Sequence, residues 1–301
     1  MPITLVAFAI AAALPGFAHS PWVLFALMLF VGATTGALDV AINVRAVAAE
    51  TAWGVRVLDG LHAAFSAGVL VGAIGTGFLR RAGVHPTPIL VAVAVVLLAT
   101  GVANVRTETL PSTPRRHAAL ARPLLIVGAI LAVAFIVESG VENWSALFIE
   151  NTLHASPAIS GLGPGLFAAA MVTGRVLAQR AAPSSAAVRM TIAGGAAAVG
   201  VLIAAVAQHP AIAILGFVIA GGGLALSAPT LFRAAGHLGA APAISTVAVL
   251  GYAGFTTAPP AIGGVAAATS LRGGLVFIAA MAVILVATVP ILRRLDPESH
   301  R

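Results

Sequence analysis

Ten apolar stretches, most of them near 20 residues long, leave this chain few folds to choose from. They run Ile3–Ala18, Trp22–Val44, Gly60–Leu79, Thr87–Asn104, Leu124–Phe148, Pro157–Leu177, Val188–Ala207, Ala211–Phe232, Ala241–Ala268 and Gly274–Leu292. About 20 helical residues cross the roughly 30 Å hydrocarbon core of a bilayer. The pattern therefore predicts an all-α polytopic membrane protein with about ten transmembrane helices, whose first partner is the lipid bilayer. Composition agrees: 8% of the residues are charged, against roughly 25% in an ordinary soluble domain. The first stretch departs from the rest, because Pro15 and Gly16 interrupt it after twelve residues, and it is expected to lack its beginning.

The basic residues decide orientation before they decide partners. All sixteen are Arg, there is no Lys, and the net charge is +7. With the amino terminus in the cytoplasm, thirteen fall on inside loops and helix ends, while Arg80, Arg81 and Arg272 fall outside. This is a positive-inside distribution with both termini cytoplasmic. It accounts for the Arg excess without nucleic acid, which is not expected as a partner. A secretory signal over Met1–Ser20 is excluded because no cationic segment precedes the apolar run. The absence of cysteine rules out disulfides and thiolate metal sites.

One long polar connection, Val105–Pro123 (VRTETLPSTPRRHAALARP), divides the chain. It predicts an N-terminal bundle over 1–105, a cytoplasmic linker over 106–122 and a C-terminal six-helix bundle over 123–301. The two parts share a faint repeat. Ala37-Leu38-Asp39 matches Ala225-Leu226-Ser227, and Arg45 matches Arg233, at an offset of 188, while Phe65 matches Phe255 at 190. Carried back from Leu124, that offset falls roughly 65 residues before Met1, so the four-helix first bundle is expected to lack two helices.

Buried ionisable groups within the apolar stretches are the candidates for chemistry, because a charge in hydrocarbon is costly. Asp39 and Asn43 lie four apart on one helix face, on a stretch where Gly32 and Gly36 leave a smooth stripe for close helix contact; the carboxylate either exchanges a proton or is structural, bonded to Asn43 or a neighbouring helix or hydrated near the cytoplasmic end. Glu138 and Glu142 likewise share a face of the fifth stretch. Two carboxylates that close in a low dielectric titrate as a pair, which suits a proton relay or the binding of a cationic or hydroxylated solute. Asn143 and Trp144 follow; the indole either stacks on solute or, with Glu142, belongs to an outer interfacial belt. His62, three residues after Asp59, either exchanges protons or caps a helix end. Arg175 is placed to gate or to dock a carboxylate, with snorkelling as the alternative. Gly68 and Gly72, Gly161 to Gly165, Gly221 to Gly223, Pro229 and Pro259-Pro260 supply close contact and bending. No zinc-protease, phosphate-loop or nucleophile-elbow motif is present, so neither an enzyme, a metal site nor a cofactor is expected.

The local wording GALDVAIN, LHAAFSAGVLVGAIGTGFL, ENWSALFIENTLHASPAISGLGPGLFAAAMVTGRVL and AISTVAVLGYAGFTTAPPAIG resembles the major facilitator superfamily, in its bacterial branch of fucose permease-like transporters. The resemblance covers essentially the whole chain. It implies two helical bundles around a central cavity and alternating-access transport of a small polar solute, sugar-like or drug-like, with a proton as co-substrate. It also implies that Asp39, followed four positions later by Asn43, is the proton-coupling carboxylate. The residues themselves add Glu138 as the second bundle's proton-coupling candidate, Asn43, Glu142, Trp144 and His62 as candidates for solute contact, and Arg175 as a gating candidate. The family's signature loop between its second and third helices is missing, and its echo keeps Gly174-Arg175 but has Gln179-Arg180 where relatives commonly place Asp-Arg. The rival reading is a non-transporting membrane partner or sensor, or an inactive truncated paralogue.

The lack of cysteine makes orientation directly measurable. A single cysteine at Ser270, beside Arg272, should react with an impermeant maleimide from the outside of intact cells. One at Ser112 in the linker should react only after the membrane is opened, and the reverse labelling would overturn the assignment.

Overall fold

The computed structural model describes residues 2–53, 58–103, 122–180 and 184–295, and every regular element among them is helical. Hydrocarbon offers no water to satisfy N–H and C=O groups, so a spanning segment must bond them within itself. The order is α1 (Pro2–Ala13), a 3-10 turn (Leu14–Phe17), α2 (Pro21–Trp53), α3 (Leu58–Arg81), α4 (Pro86–Ala103), α5 (Arg122–Asn151), α6 (Pro157–Ser160), α7 (Leu162–Arg180), α8 (Ala186–Val206), α9 (Pro210–Leu224), α10 (Ser227–Ala268), α11 (Leu271–Ala287) and α12 (Val289–Leu295). Six segments of the described residues combine the length and apolar character needed to cross a membrane: Pro21–Asp39, Arg122–Asn151, Pro157–Ala178, Ala186–Val206, Pro210–Leu238 and Leu271–Arg294. Ile3–Phe17 and Pro86–Val102 are apolar but shorter.

Local chemistry sets the helix ends. Proline takes the first position of α2, α4, α6 and α9, where the missing N–H would have had no helical acceptor. Ser185 and Ser270 cap α8 and α11, accepting from the Val188 N–H at 3.3 Å and the Gly273 N–H at 3.1 Å. After α3 the chain reverses at Gly83, whose φ of 82° suits a residue without Cβ. There the Gly83 and Val84 N–H groups donate back to the carbonyls of Arg80 and Leu79, both at 3.0 Å.

Two apolar stretches are built differently from a plain span. Ile3–Ala18 becomes α1 followed by the 3-10 turn at Pro15-Gly16, where Thr87 Oγ1 donates to the Gly16 carbonyl at 2.6 Å and ties the turn to the start of α4. Ala211–Phe232 is interrupted at Ala225 and Leu226, between α9 and α10. There the buried Ser227 and Thr230 hydroxyls donate to the carbonyls of Leu224 and Leu226, each at 2.7 Å. α10 then continues as one helix through Pro259-Pro260 to Ala268. The predicted linker lies outside the described residues as far as Ala121.

Contacts divide the chain into two compact units. One comprises Met1–Phe65 with Leu79–Pro114, the other Ser66–Phe78 with Arg115–Arg301. In the first, α1 packs against α2 and α4 around Leu5, Ala9, Leu38 and Ala94. In the second, α5 packs against α10 and α11, α8 against α9 and α11, and α7 against α9, around Leu131, Phe148, Phe167, Met190 and Phe217.

Glycines set the spacing in the second unit. A Cβ added at Gly200 would run into the Gly216 carbonyl, and one at Gly216 into the Gly200 carbonyl. A Cβ at Gly221 would lie 2.5 Å from the Phe167 carbonyl, and one at Gly77 2.6 Å from that of Pro157. Lipid tails are as apolar as Leu, so helices associate through such close backbone packing rather than by escaping the solvent. At one end Arg272 fastens three helices: its Nη1 donates to the Ala205 carbonyl of α8, and its guanidinium lies 5.4 Å from the centre of the Phe148 ring of α5.

Gly200→Val should therefore destabilise the protein by about 1–3 kcal/mol through overpacking, read as a lower unfolding temperature in detergent. Gly195→Ala, on the same helix with open space around it, should leave that temperature unchanged or slightly raised.

Candidate solute and proton site

Four polar or aromatic side chains of α5 lie on one stripe, because Phe135, Glu138, Glu142 and Ser145 are spaced three, four and three residues apart. Glu138 is buried, at 9% exposure. Its Oε1 lies 3.8 Å from Nη2 of Arg175 on α7, an ion-pair separation beyond hydrogen-bond length. Its Oε2 is also buried and has no hydrogen-bond donor among the described residues. The Arg175 side chain keeps 25% of its surface exposed. Half-buried Glu142 sits within electrostatic reach of both Glu138 and Arg175.

The neighbouring polar groups serve the contact between α5 and α10. Ser139 Oγ donates to the Phe255 carbonyl at 3.1 Å, and Asn143 Nδ2 turns back onto the Ser139 carbonyl at 2.8 Å. Trp144 lays the edge of its ring over Gly263, whose added Cβ would lie 3.3 Å away. The indole N–H is buried without an acceptor among the described residues, as is the Ser145 hydroxyl, which faces Gly163 of α7. One turn before Glu138, Phe135 meets Tyr252 at 5.7 Å between ring centres and Phe255 edge-on at 6.2 Å.

Arg175 is placed by the residue before it. Gly174 lets α7 press against the end of α9, where a Cβ would lie 2.6 Å from the Gly222 carbonyl and 2.9 Å from Ala225 Cβ. Arg175 thus follows directly on the position at which α7 meets the residues beside the break at Ala225 and Leu226.

No protein-family model matches the chain. It is 31% identical over 261 residues to an uncharacterized MFS-type transporter of Yersinia pestis, a match that takes in 84% of this chain and 68% of that protein. The chain belongs to the major facilitator superfamily. It is also 31% identical over 287 residues to an uncharacterized transporter of Sinorhizobium fredii, covering 91% of this chain and 75% of the relative. Membrane protein MosC of Rhizobium meliloti is 26% identical over 268 residues, covering 87% and 66%.

Among the residues singled out in this superfamily member, the structure brings Glu138, Glu142 and Arg175 together on the second unit. Trp144 lies on the same helix but faces α10. Asp39 is half-buried on α2 in the first unit. The side chains of Asn43 and His62 lie outside the described residues. Sequence reading passed over Phe135, Ser145 and Tyr252. Phe135 and Ser145 look like ordinary core residues in an apolar run, whereas Tyr252, the one tyrosine of the chain, was a signal that could have been followed.

A double-mutant cycle of Glu138→Gln and Arg175→Gln, read on thermal stability, should return a coupling on the order of 1 kcal/mol. The partial exposure of Arg175 places it below a fully buried pair. Strict additivity would mean that the two charges do not support each other.

Proposed function

We propose that the protein is a secondary active transporter that moves a small polar solute, sugar-like or drug-like, across the cytoplasmic membrane by alternating access, driven by protons. The observation that carries this reading is the buried Glu138, paired through one oxygen with Arg175 and left with a second oxygen that has no donor among the described residues. A purely structural carboxylate in an apolar span would have both oxygens satisfied, since an unmet buried acceptor is destabilising. An oxygen left open in a transporter family is available to a proton or to a solute.

In this reading Asp39 and Glu138 exchange protons, and Asn43, Glu142, Trp144 and His62 contact solute. Arg175 gates, because it shares Glu138 with whatever else binds there and stands beside the break between α9 and α10. Both termini lie in the cytoplasm. The partners are the solute, the proton and the lipid bilayer.

Reconstituted vesicles test this with an imposed pH gradient and a panel of labelled probes: L-fucose, an organic cation and an organic anion. At least one probe should accumulate, and dissipating the gradient should abolish the accumulation. Asp39→Asn should remove gradient-driven accumulation while leaving exchange of labelled for unlabelled probe intact. Undiminished accumulation would take Asp39 out of the mechanism. No movement of any probe would transfer support to a membrane partner or sensor that does not transport.

A further inference from the structure

Two adjoining helices of the second unit turn apolar stripes outward. On α8, Val188, Ile192, Val199 and Val206 are exposed, and their spacing of four, seven and seven puts them on one face. On α11, Val276 and Val283 are exposed and seven apart, and Ile291 of α12 is exposed beyond them. Where the two helices meet, a Cβ added at Gly194 would lie 2.8 Å from Val286 Cγ2 and 2.9 Å from the Ala282 carbonyl. One residue on, a Cβ at Gly195 would meet nothing within 4 Å. The seam between α8 and α11 is thus closed at Gly194 and notched beside it, and in a bilayer its outer face meets acyl chains.

Arginines stand at one end of this seam. α12 buries Val289 and Leu292, and on its opposite face Ile291 and Arg294, three apart, are exposed. Arg189 lies in the first turns of α8, half-buried, and its Nε donates to Ser184 Oγ at 3.0 Å, which holds the guanidinium at the start of that helix. At the other end of the seam, Arg272 of α11 reaches the Ala205 carbonyl of α8. The 22 positions from Arg272 to Arg294 rise about 33 Å, close to the roughly 30 Å of hydrocarbon. With Arg272 at one membrane interface, Arg294 is therefore at headgroup level on the other.

Charge at that end is one-sided. Arg122, Arg180, Arg189, Arg233, Arg293 and Arg294 all lie on the side away from Arg272, whereas the described carboxylates of this unit, Glu138, Glu142 and Glu150, are 16 or more positions along α5 from Arg122. The tail adds Asp296, Glu298 and Arg301, outside the described residues, which leaves the arginines in excess. Arg293 already has an interaction within the protein, so Arg189 and Arg294 are the pair assigned to a ligand.

We propose that the seam holds an anionic phospholipid, its phosphate on Arg294 and Arg189 and one acyl chain along the stripes past Gly195. The arginine fork matches phosphate oxygens in shape as well as charge. A zwitterionic lipid would fill the stripes but bring its own cation to the arginines. A free phosphate would meet the arginines and leave the stripes to bulk lipid. This assignment needs only that the chain lies in a membrane, and it stands or falls independently of transport.

Native mass spectrometry of the full chain in detergent tests it with dioleoylphosphatidylglycerol, dioleoylphosphatidylcholine and glycerol 3-phosphate. One phosphatidylglycerol should be retained, bound on the order of 30-fold more tightly than phosphatidylcholine for two arginines at the membrane surface. Glycerol 3-phosphate, which has no chains, should not displace it at equal concentration. Arg189→Gln combined with Arg294→Gln should reduce phosphatidylglycerol to the affinity of phosphatidylcholine while keeping the unfolding temperature measured without lipid. Lys at both positions should keep part of the preference, which maintains the test if the Gln pair lowers stability. Arg122→Gln with Arg180→Gln, at the same end but on α5 and α7, should leave the preference intact. Equal affinity for the two lipids, displacement by glycerol 3-phosphate, a preference that survives in the Arg189 and Arg294 Gln pair, or an equal loss in the Arg122 and Arg180 pair would each overturn the proposal.

Discussion

Helices surrounded by lipid gain little by hiding apolar side chains from one another, so the second unit depends on how closely its backbones can approach. That approach is made at glycines. Gly200 and Gly216 bring α8 and α9 together so tightly that neither position has room for a methyl group. Gly221 and Gly174 do the same between α7 and α9. Gly254 of α10 is pressed onto the Ala132 carbonyl of α5. These contacts replace the solvent-driven core of a soluble domain with dispersion between many closely spaced atoms.

A frame held this closely can keep a charge in an apolar span. Glu138 is tolerated because Arg175 faces it from the next helix, and Arg175 is there because Gly174 removes the bulk that would push α7 away from α9. The same contact sits beside the one interruption in the span from Pro210 to Leu238, where the Ser227 and Thr230 hydroxyls return to carbonyls at the break. Arg175 rides on the helix that abuts this break.

Much of the architecture was legible in the chain. Apolar runs near the thickness of a bilayer announce spanning helices, since no other single-chain element without strand alternation satisfies its backbone in hydrocarbon. Ser and Pro marked where the helices begin, because their chemistry there is local. The break after Leu224 was not legible. A run such as GGGLALSAPT is apolar and glycine-rich whether it continues or interrupts, and the choice rests on how α7 and α8 pack against it.

The site divides along the same line. Sequence by itself determined that Glu138 and Glu142 share a helix face, since the periodicity of a helix leaves residues four apart no alternative. It also made Arg175 a candidate, as the charge within its span. Only the tertiary structure decided that Arg175 pairs with Glu138, that Trp144 lies over Gly263, and that Tyr252 joins Phe135 from 117 positions away. Spacing along a helix is set by the covalent chain and its hydrogen bonds, whereas contact between helices is set by which backbones the glycines allow to meet.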